Sequence, residues 1–378
     1  MKKRIRVLQI LHDFKKGGVQ AEVMWPARLL DKEDVEFDVL LFTDSPGYYD
    51  EEFQQYGNIY RIVVPKTSTK VGIVLRTFTN FFFVKKKMSQ ILESAPQYHA
   101  VHSHHPLYNA ACLSAAKKHN IPVRIAHCAV NKPTRKDFND RLYVRVFYKL
   151  SAVILNGCAT NRYGVTKNAA DYMFGKNKGR MLKNPTLDLT RFDPALYSRE
   201  NPDILTMLMV GSYSRRKNQR FALEILKCLH NSNIPAKLIY VGYPRSEKED
   251  YYPNLKRYVE ELGLYGSVQF LPQDADIPHE FSQSDYLLIP SLQEGLPNVA
   301  LEAQAMGVPC IVSRDVSDDC DCGLCSFLPL SDGAQRWADY IYNDFCSNKG
   351  KKRYVDMSAW DNRKVVKEYL EIWRGNIK

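Results

Sequence analysis

Two carboxylates eight positions apart, Glu294 and Glu302, stand in the segment LLIPSLQEGLPNVALEAQAMGVPCIVS, residues 287–313. A strand is expected to end near Pro290, the next loop carries Glu294 and Gly295, and a helix is predicted from near Pro297. Proline suits a first helical turn, where its missing N–H costs nothing. Gly307 then ends the helix and Pro309 prevents its continuation. The backbone from Leu296 through Pro297, Asn298 and Val299 would bring free N–H groups beside Glu294, a place for a phosphate. Glu294 could accept hydroxyl groups of a sugar, and Glu302 hydroxyls further along. Spacing alone also fits a solvated loop acid and a surface helix acid, and leaves both readings open.

A second constellation lies in LMVGSYSRRKNQRFALEIL, residues 208–226. A strand ends at Val210, Gly211 permits a tight turn, and Arg215, Arg216 and Lys217 cluster before a helix from Gln219. Cations at such a strand-to-helix turn suit a diphosphate whose charge must be neutralised as it leaves. A solvated basic turn would look the same. Near the start, Gly17 and Gly18 follow the first strand and open a helix, so a ligand could approach their backbone; a plain turn is the simpler account. His102, His104 and His105 end one strand and His127 the next, all expected to face a cleft. They lack carboxylates at fixed spacing, so hydrogen-bonding histidines are expected rather than a metal site.

Elements must hold these residues in place. Short runs rich in Val, Ile and Leu alternate with amphipathic stretches, the pattern of βαβ units and parallel sheets. Strands are predicted at Arg6–Leu11, Phe37–Phe42, Ile59–Val63, Ala100–Ser103, Arg124–His127 and Ala152–Asn156. A second set follows at Leu205–Val210, Ala236–Val241, Ser267–Phe270, Tyr286–Ile289 and Pro309–Val312. Between them, Pro185, Pro194 and Pro202 punctuate a stretch without periodicity. The division is therefore a first doubly wound domain over 1–183, a linker over 184–203 and a second domain over 204–357. Ser358–Trp373 reads as an amphipathic helix able to pack on either domain. In such sheets ligands sit at the carboxyl ends of the strands, where all the candidate residues lie.

A chain of 378 residues suits two domains. Lys2, Lys3, Arg4 and Arg6 precede an apolar run that His12 and Asp13 cut short, which reads as a buried strand and not a signal peptide. No stretch approaches the roughly 20 apolar residues of a membrane span, and a cytoplasmic location is expected. Nine scattered cysteines suit a reducing compartment. Cys320, Cys322 and Cys325 lack a fourth ligand and paired knuckles, so loop thiols are expected, not zinc. Charge is uneven: residues 1–183 hold 30 Lys and Arg against 15 Asp and Glu, and the remainder 23 against 27. Without any nucleic-acid motif, that excess points to an anionic membrane surface rather than nucleic acid. In residues 71–88, Phe78, Phe81, Phe82 and Phe83 lie beside Lys85, Lys86 and Lys87, a pattern suited to anionic lipid or to a buried helix with a basic end.

Together these segments resemble the family 4 glycosyltransferases of the GT-B fold, particularly bacterial exopolysaccharide and capsule enzymes. RVLQILHDFKKGGVQ, VHSHHPLYNAACLSAAKKHNIPVRIAH, VGSYSRRKNQ and PSLQEGLPNVALEAQAMGVPCIVS carry the likeness along almost the whole chain. The last is the most specific, since it matches the family's two-glutamate motif in spacing and flanks. The resemblance implies an α/β fold of two Rossmann-like domains facing each other across a cleft, with the last helix, within 358–378, returning to the first. It implies that Glu294 contacts the transferred sugar, Glu302 the ribose, Lys217 the diphosphate and His127 the sugar, with Gly17 and Gly18 as the glycine loop. Two positions depart from the pattern: Ser212 stands where an arginine is usual, which leaves Arg215 or Arg216 to substitute, and Gln20 stands for a glutamate.

The implied chemistry is metal-independent transfer, with retention, from a nucleoside diphosphate sugar, usually UDP-linked, to a saccharide or lipid-linked acceptor. Lys217, its arginine neighbours and the helix start would stabilise the departing diphosphate. Two alternatives share the architecture: a sugar-nucleotide epimerase, and a catalytically degenerate scaffold in a polysaccharide assembly complex.

Overall fold

The computed structural model describes residues 4–65, 70–105, 107–129, 142–199, 203–244, 250–348, 351 and 353–377, with side chains for all of these except 70–77, 142–145 and 148. Lys2, Lys3 and Pro202 lie outside these residues, as do the side chains of 71–77 in the aromatic and basic segment. The chain divides into two compact units, one of residues 1–186 with 360–378 and one of 187–359.

The first unit runs β1 (Ile5–Leu11), α1 (Gly18–Leu29), β2 (Val35–Leu41), α2 (Asp50–Phe53), β3 (Ile59–Arg61), α3 (Lys70–Ser94), β4 (Ala100–Ser103) and α4 (Asn109–Lys118). It continues with β5 (Val123–Cys128), α5 (Leu142–Cys158), β6 (Asn161–Gly164), α6 (Lys167–Phe174) and β7 (Arg180–Met181). These strands form one parallel sheet in the order β3-β2-β1-β4-β5-β6-β7. The central strands are covered on both faces, which is why β4 and β5 are almost wholly buried.

The second unit runs β8 (Leu205–Val210), α7 (Gln219–Asn231), β9 (Ala236–Val241), α8 (Tyr251–Glu261), β10 (Val268–Leu271), α9 (Ile277–Ser282) and β11 (Tyr286–Ile289). After these come α10 (Asn298–Ala305), β12 (Cys310–Ser313), β13 (Cys325–Leu328) and α11 (Gly333–Asn348). Its sheet is also parallel, in the order β10-β9-β8-β11-β12-β13. A core of Met207, Leu226, Leu238, Leu288, Ile311 and Trp337 packs between this sheet and its helices.

The last helix, α12 (Asn362–Trp373), belongs to the first unit. Asp361 caps it by accepting the Arg363 N–H. Trp373 packs edge-on against Phe37, and Val365, Tyr369 and Leu370 join the core beneath β1 and β2. Its start differs slightly from the expected Ser358, because residues 358–360 form a separate 3-10 turn.

One predicted strand is a helix. Ala152–Asn156 lies inside α5, and the strand that follows β5 is Asn161–Gly164. A short apolar run cannot distinguish strand from helix by itself. Here Val146, Leu150, Val153 and Ile154 recur at helical spacing on an exposed face. The short strands β7 and β13, at the sheet edges, were not read from the sequence at all.

Candidate functional site

In each sheet the strand order reverses at one place, between β1 and β4 in the first and between β8 and β11 in the second. Loops leaving the two strands at such a point diverge and open a crevice for ligand. In the second unit these are the Gly211–Asn218 loop after β8 and the Ser291–Pro297 loop after β11. They bring Lys217 Nζ to 2.6 Å from Glu294 Oε1. Ser291 donates its hydroxyl to the same oxygen at 3.0 Å. Glu294 is 7% exposed, so a cation and a carboxylate meet here largely shielded from water.

The backbone explains how Lys217 arrives. Gly211 has φ +138°, a conformation that favours glycine, and a Cβ there would lie 3.3 Å from Lys217 Cε. Asn218 takes the left-handed conformation at the start of α7 and donates its side-chain amide to Pro290 O at 3.1 Å, tying the two loops together. Leu292 N–H donates to Arg216 O at 2.8 Å, a second tie. Gln219, buried, donates to Ser212 O at 3.0 Å and closes the turn. Arg215 and Arg216 are exposed and Ser212 is partly exposed, so Lys217 is the cation of this turn that packs inward.

Helix α10 begins at Asn298, with Pro297 in extended conformation as its cap rather than in its first turn. Gly295, Leu296, Asn298 and Val299 are partly exposed around this helix start, and Pro297 is buried. Gly307, at φ +73°, closes the helix as expected, its N–H donating to Gln304 O. Glu302 lies one turn into α10, and burial pushes its carboxyl up to about 7 against the lowering effect of Arg191.

In the first unit the histidines do not line an open surface. His102, His104, His105 and His127 are all buried, because β4 and β5 are central strands covered by α1 and α12. Glu22, on α1, reaches them: its Oε1 lies 2.9 Å from His127 Nδ1 and 3.5 Å from His104 Nδ1, and accepts the Tyr369 hydroxyl at 2.8 Å. His102 Nε2 is 3.3 Å from His127 Nδ1, and His102 Nδ1 is 3.3 Å from Trp373 Nε1. His104 Nε2 meets Gln9 Oε1 at 3.1 Å. Burial holds the His102 imidazole well below its ordinary value and brings His104 down to about 4 and His105 to about 3. Glu22 is brought down to about 2, because His127 and His104 outweigh the burial that would raise it. Gly17 precedes α1 in extended conformation and Gly18 is its first residue, four positions before Glu22.

Glu22 supplies the carboxylate that the histidines lacked in the sequence, and sequence reasoning missed it because only the fold brings α1 over β4 and β5. Among the described residues, Glu22, His102, His104 and His127 offer ligand atoms within 4.8 Å of one another. Trp373 decides how this set behaves. An indole N–H can only donate, so His102 Nδ1 accepts and its proton sits on Nε2, the nitrogen facing the other groups. A four-coordinate metal would need that nitrogen bare.

No disulfide joins the cysteines, of which Cys320 is buried and Cys322 and Cys325 are partly exposed. In the aromatic and basic segment Phe78 packs against Phe147 with centroids 5.7 Å apart, while Phe81 and Phe83 are half-buried. Phe82, 70% exposed, and the exposed Lys86 and Lys87 reach solvent, with Lys85 half-buried. No helix among the described residues is long and apolar enough to cross a membrane.

Residues 197–318, which contain the Lys217–Glu294 pair, match the family described as glycosyl transferases group 1. The chain is 28% identical to a protein of Bacillus subtilis (strain 168), EpsF, whose name assigns it provisionally to the glycosyltransferases; the match spans 93% of this chain and 90% of that one. It is 24% identical to the UDP-Gal:alpha-D-GlcNAc-diphosphoundecaprenol alpha-1,3-galactosyltransferase of Escherichia coli, over 80% of this chain and 78% of that one. Among solved structures it resembles HepE of Anabaena in complex with UDP and glucose, with a TM-score of 0.67 at 15% identity, covering 99% of this chain and 98% of that one. The last likeness is one of fold, the two-sheet α/β architecture of the GT-B enzymes.

Proposed function

We propose that this glycosyltransferase, which carries a group 1 domain over residues 197–318, moves a sugar from a UDP-linked donor to a lipid-linked saccharide with retention at the anomeric carbon. The observation that carries this reading is the Lys217–Glu294 pair at the strand-order reversal of the second sheet. A cation and a carboxylate side by side are what a leaving diphosphate and a bound sugar require. The names of the relatives support a role in polysaccharide synthesis, and HepE with UDP and glucose supports the nucleotide.

In this mechanism Glu294 accepts hydroxyls of the transferred sugar and holds Lys217 extended across the crevice. Lys217 then receives the negative charge that develops on the departing diphosphate, together with the N-terminus of α10. Arg215 and Arg216, exposed beside it, supply the second cation that Ser212 cannot. Glu302 accepts the ribose hydroxyls. The acceptor oxygen attacks the anomeric carbon on the face the diphosphate leaves, and the acceptor proton passes to a leaving phosphate oxygen. No separate base and no divalent metal take part.

The acceptor's lipid places the enzyme at the cytoplasmic face of a membrane. Supporting this, α5 exposes Val146, Leu150, Val153 and Ile154 as an apolar stripe beside Lys149, and α3 adds Phe82, Lys86 and Lys87. An apolar stripe flanked by lysines suits an anionic lipid surface.

The test is UDP release from a panel of UDP-sugars, with and without lipid-linked acceptor and with excess EDTA. Release that needs acceptor, persists in EDTA and yields an α-linked product from an α-linked donor is expected. Sugar conversion without acceptor would point to an epimerase, and no nucleotide binding by calorimetry would point to a scaffold.

A further inference from the structure

In the second unit the loops after β8 and β11 meet along three residues each. Leu292 N–H donates to Arg216 O at 2.8 Å, and the Asn218 side-chain amide donates to Pro290 O at 3.1 Å. These two ties bracket the middle residues, Lys217 and Ser291. Both middle residues turn to one atom: Lys217 Nζ lies 2.6 Å from Glu294 Oε1, and Ser291 donates its hydroxyl to the same oxygen at 3.0 Å. Ser291 is 0% exposed. A hydroxyl has a single proton to donate, and this one is committed to the carboxylate.

A serine three positions before an acid could be no more than a brace within its loop. The convergence with Lys217 gives it a further consequence. A buried carboxylate costs free energy unless donors compensate it, and a hydrogen bond to a charged acceptor is the stronger kind. In the proposed reaction the donor diphosphate draws on the ammonium of Lys217. That ammonium rides on a flexible four-carbon stem and can turn toward a phosphate. The Ser291 hydroxyl cannot follow it, because its backbone is tied on both sides, at Pro290 and at Leu292.

We propose that Ser291 is a positioning residue for sugar transfer: it holds Glu294 Oε1 in place while Lys217 is shared with the diphosphate, so that the carboxylate keeps one orientation toward the sugar. The inference rests on the reading that gives Glu294 to the sugar and Lys217 to the diphosphate. Ser291 itself, closed off from solvent, touches no substrate. Its hydroxyl takes no part in the two ties, which use atoms of Pro290 and Leu292, so removing it leaves the path of both loops in place.

The test is a double-mutant cycle on the full chain, with UDP-glucose or UDP-galactose, whichever the wild type turns over, and a lipid-linked acceptor. Ser291→Ala is expected to lower kcat by about 10-fold or more. The value of kcat/KM for donor should fall by the same factor, the mark of a contact that matters in the transition state. In a Glu294→Ala background the same change should alter the rate by less than about twofold, since the group it holds is gone. That arm is measured as a single-turnover rate, which follows slow residual transfer. An equal loss in both backgrounds would show that Ser291 does not act through Glu294 and overturns the proposal, as does wild-type kcat in a folded Ser291→Ala. If Ser291→Ala does not fold, Ser291→Cys keeps the site filled with a weak donor and is expected to lose about threefold or more in kcat; wild-type kcat in that variant overturns the proposal too. Wild-type kcat in Glu294→Ala alone would instead sink the sugar assignment of the carboxylate, and with it the premise of the role given to Ser291.

Discussion

Lys217 Nζ lies 2.6 Å from Glu294 Oε1, although 77 positions separate the two in the chain, and the contact sits where the order of the second sheet reverses. Neither group alone makes a site. Together they put a cation and a buried carboxylate on adjoining loops that Asn218 ties to Pro290.

Replacing either partner should remove transfer while leaving the fold. On the proposed reading, Lys217→Ala loses the charge that would receive the leaving diphosphate, and Glu294→Ala loses the sugar contact and the hold on the lysine. A fall in kcat of about 100-fold or more is expected for each, with the circular dichroism spectrum unchanged. Full activity in either variant would refute the site.

Gly242 is expected to tolerate no side chain. A Cβ at this position would lie 2.1 Å from Gly211 O, which is backbone and cannot swing aside. Gly242→Ala should therefore shift the Gly211 turn that seats Lys217, lowering both Tm and donor affinity. Gly263→Ala is the comparison: nothing lies within 4 Å of its Cβ, and only the backbone strain of φ +67° is added. Equal donor affinity in the two variants would show that the Gly211 turn does not govern the site.

The two units should respond to pH in opposite directions. Glu302 has its folded value raised to about 7, so its favourable contribution is complete below the ordinary carboxylate value of 4.5 and is lost as pH rises toward 7. His104, lowered to about 4, is kept neutral by the fold, so the unfolded chain binds its proton first and stability falls as pH drops from 6.5 toward 4. Hydrogen exchange between pH 4.5 and 7 should find Glu302→Gln flattening the response of the second unit, and His104→Gln that of the first. An unchanged profile in Glu302→Gln would mean the carboxyl is ionised throughout.

Charge placed on the α5 stripe should weaken attachment to anionic lipid. Leu150, 51% exposed, and Val153, 71% exposed, contact too little protein for their replacement to unfold it. Leu150→Glu with Val153→Glu is expected to lower sedimentation with phosphatidylglycerol vesicles at low salt by about 10-fold or more, given the loss of apolar area and the added repulsion. Binding to neutral and anionic vesicles alike would remove the membrane reading.

By itself the sequence determined the class of fold and singled out Lys217 and Glu294, which the second unit brings together. Alternating apolar runs are set by the chain's own periodicity, so β8, β9 and β11 were legible to the residue. Glycine, proline and charge at strand ends marked the loops that hold Gly211, Lys217 and Glu294. Ala152–Asn156 was misread because a short apolar run has no period long enough to separate helix from strand. Only the tertiary structure decided the rest. Glu22 is an ordinary helix acid until α1 lies over β4 and β5, and His127 is one histidine among several until that carboxylate comes within 2.9 Å of its Nδ1. The reason is physical: periodicity is a local property, whereas burial and proton sharing belong to groups that meet only after the chain has folded.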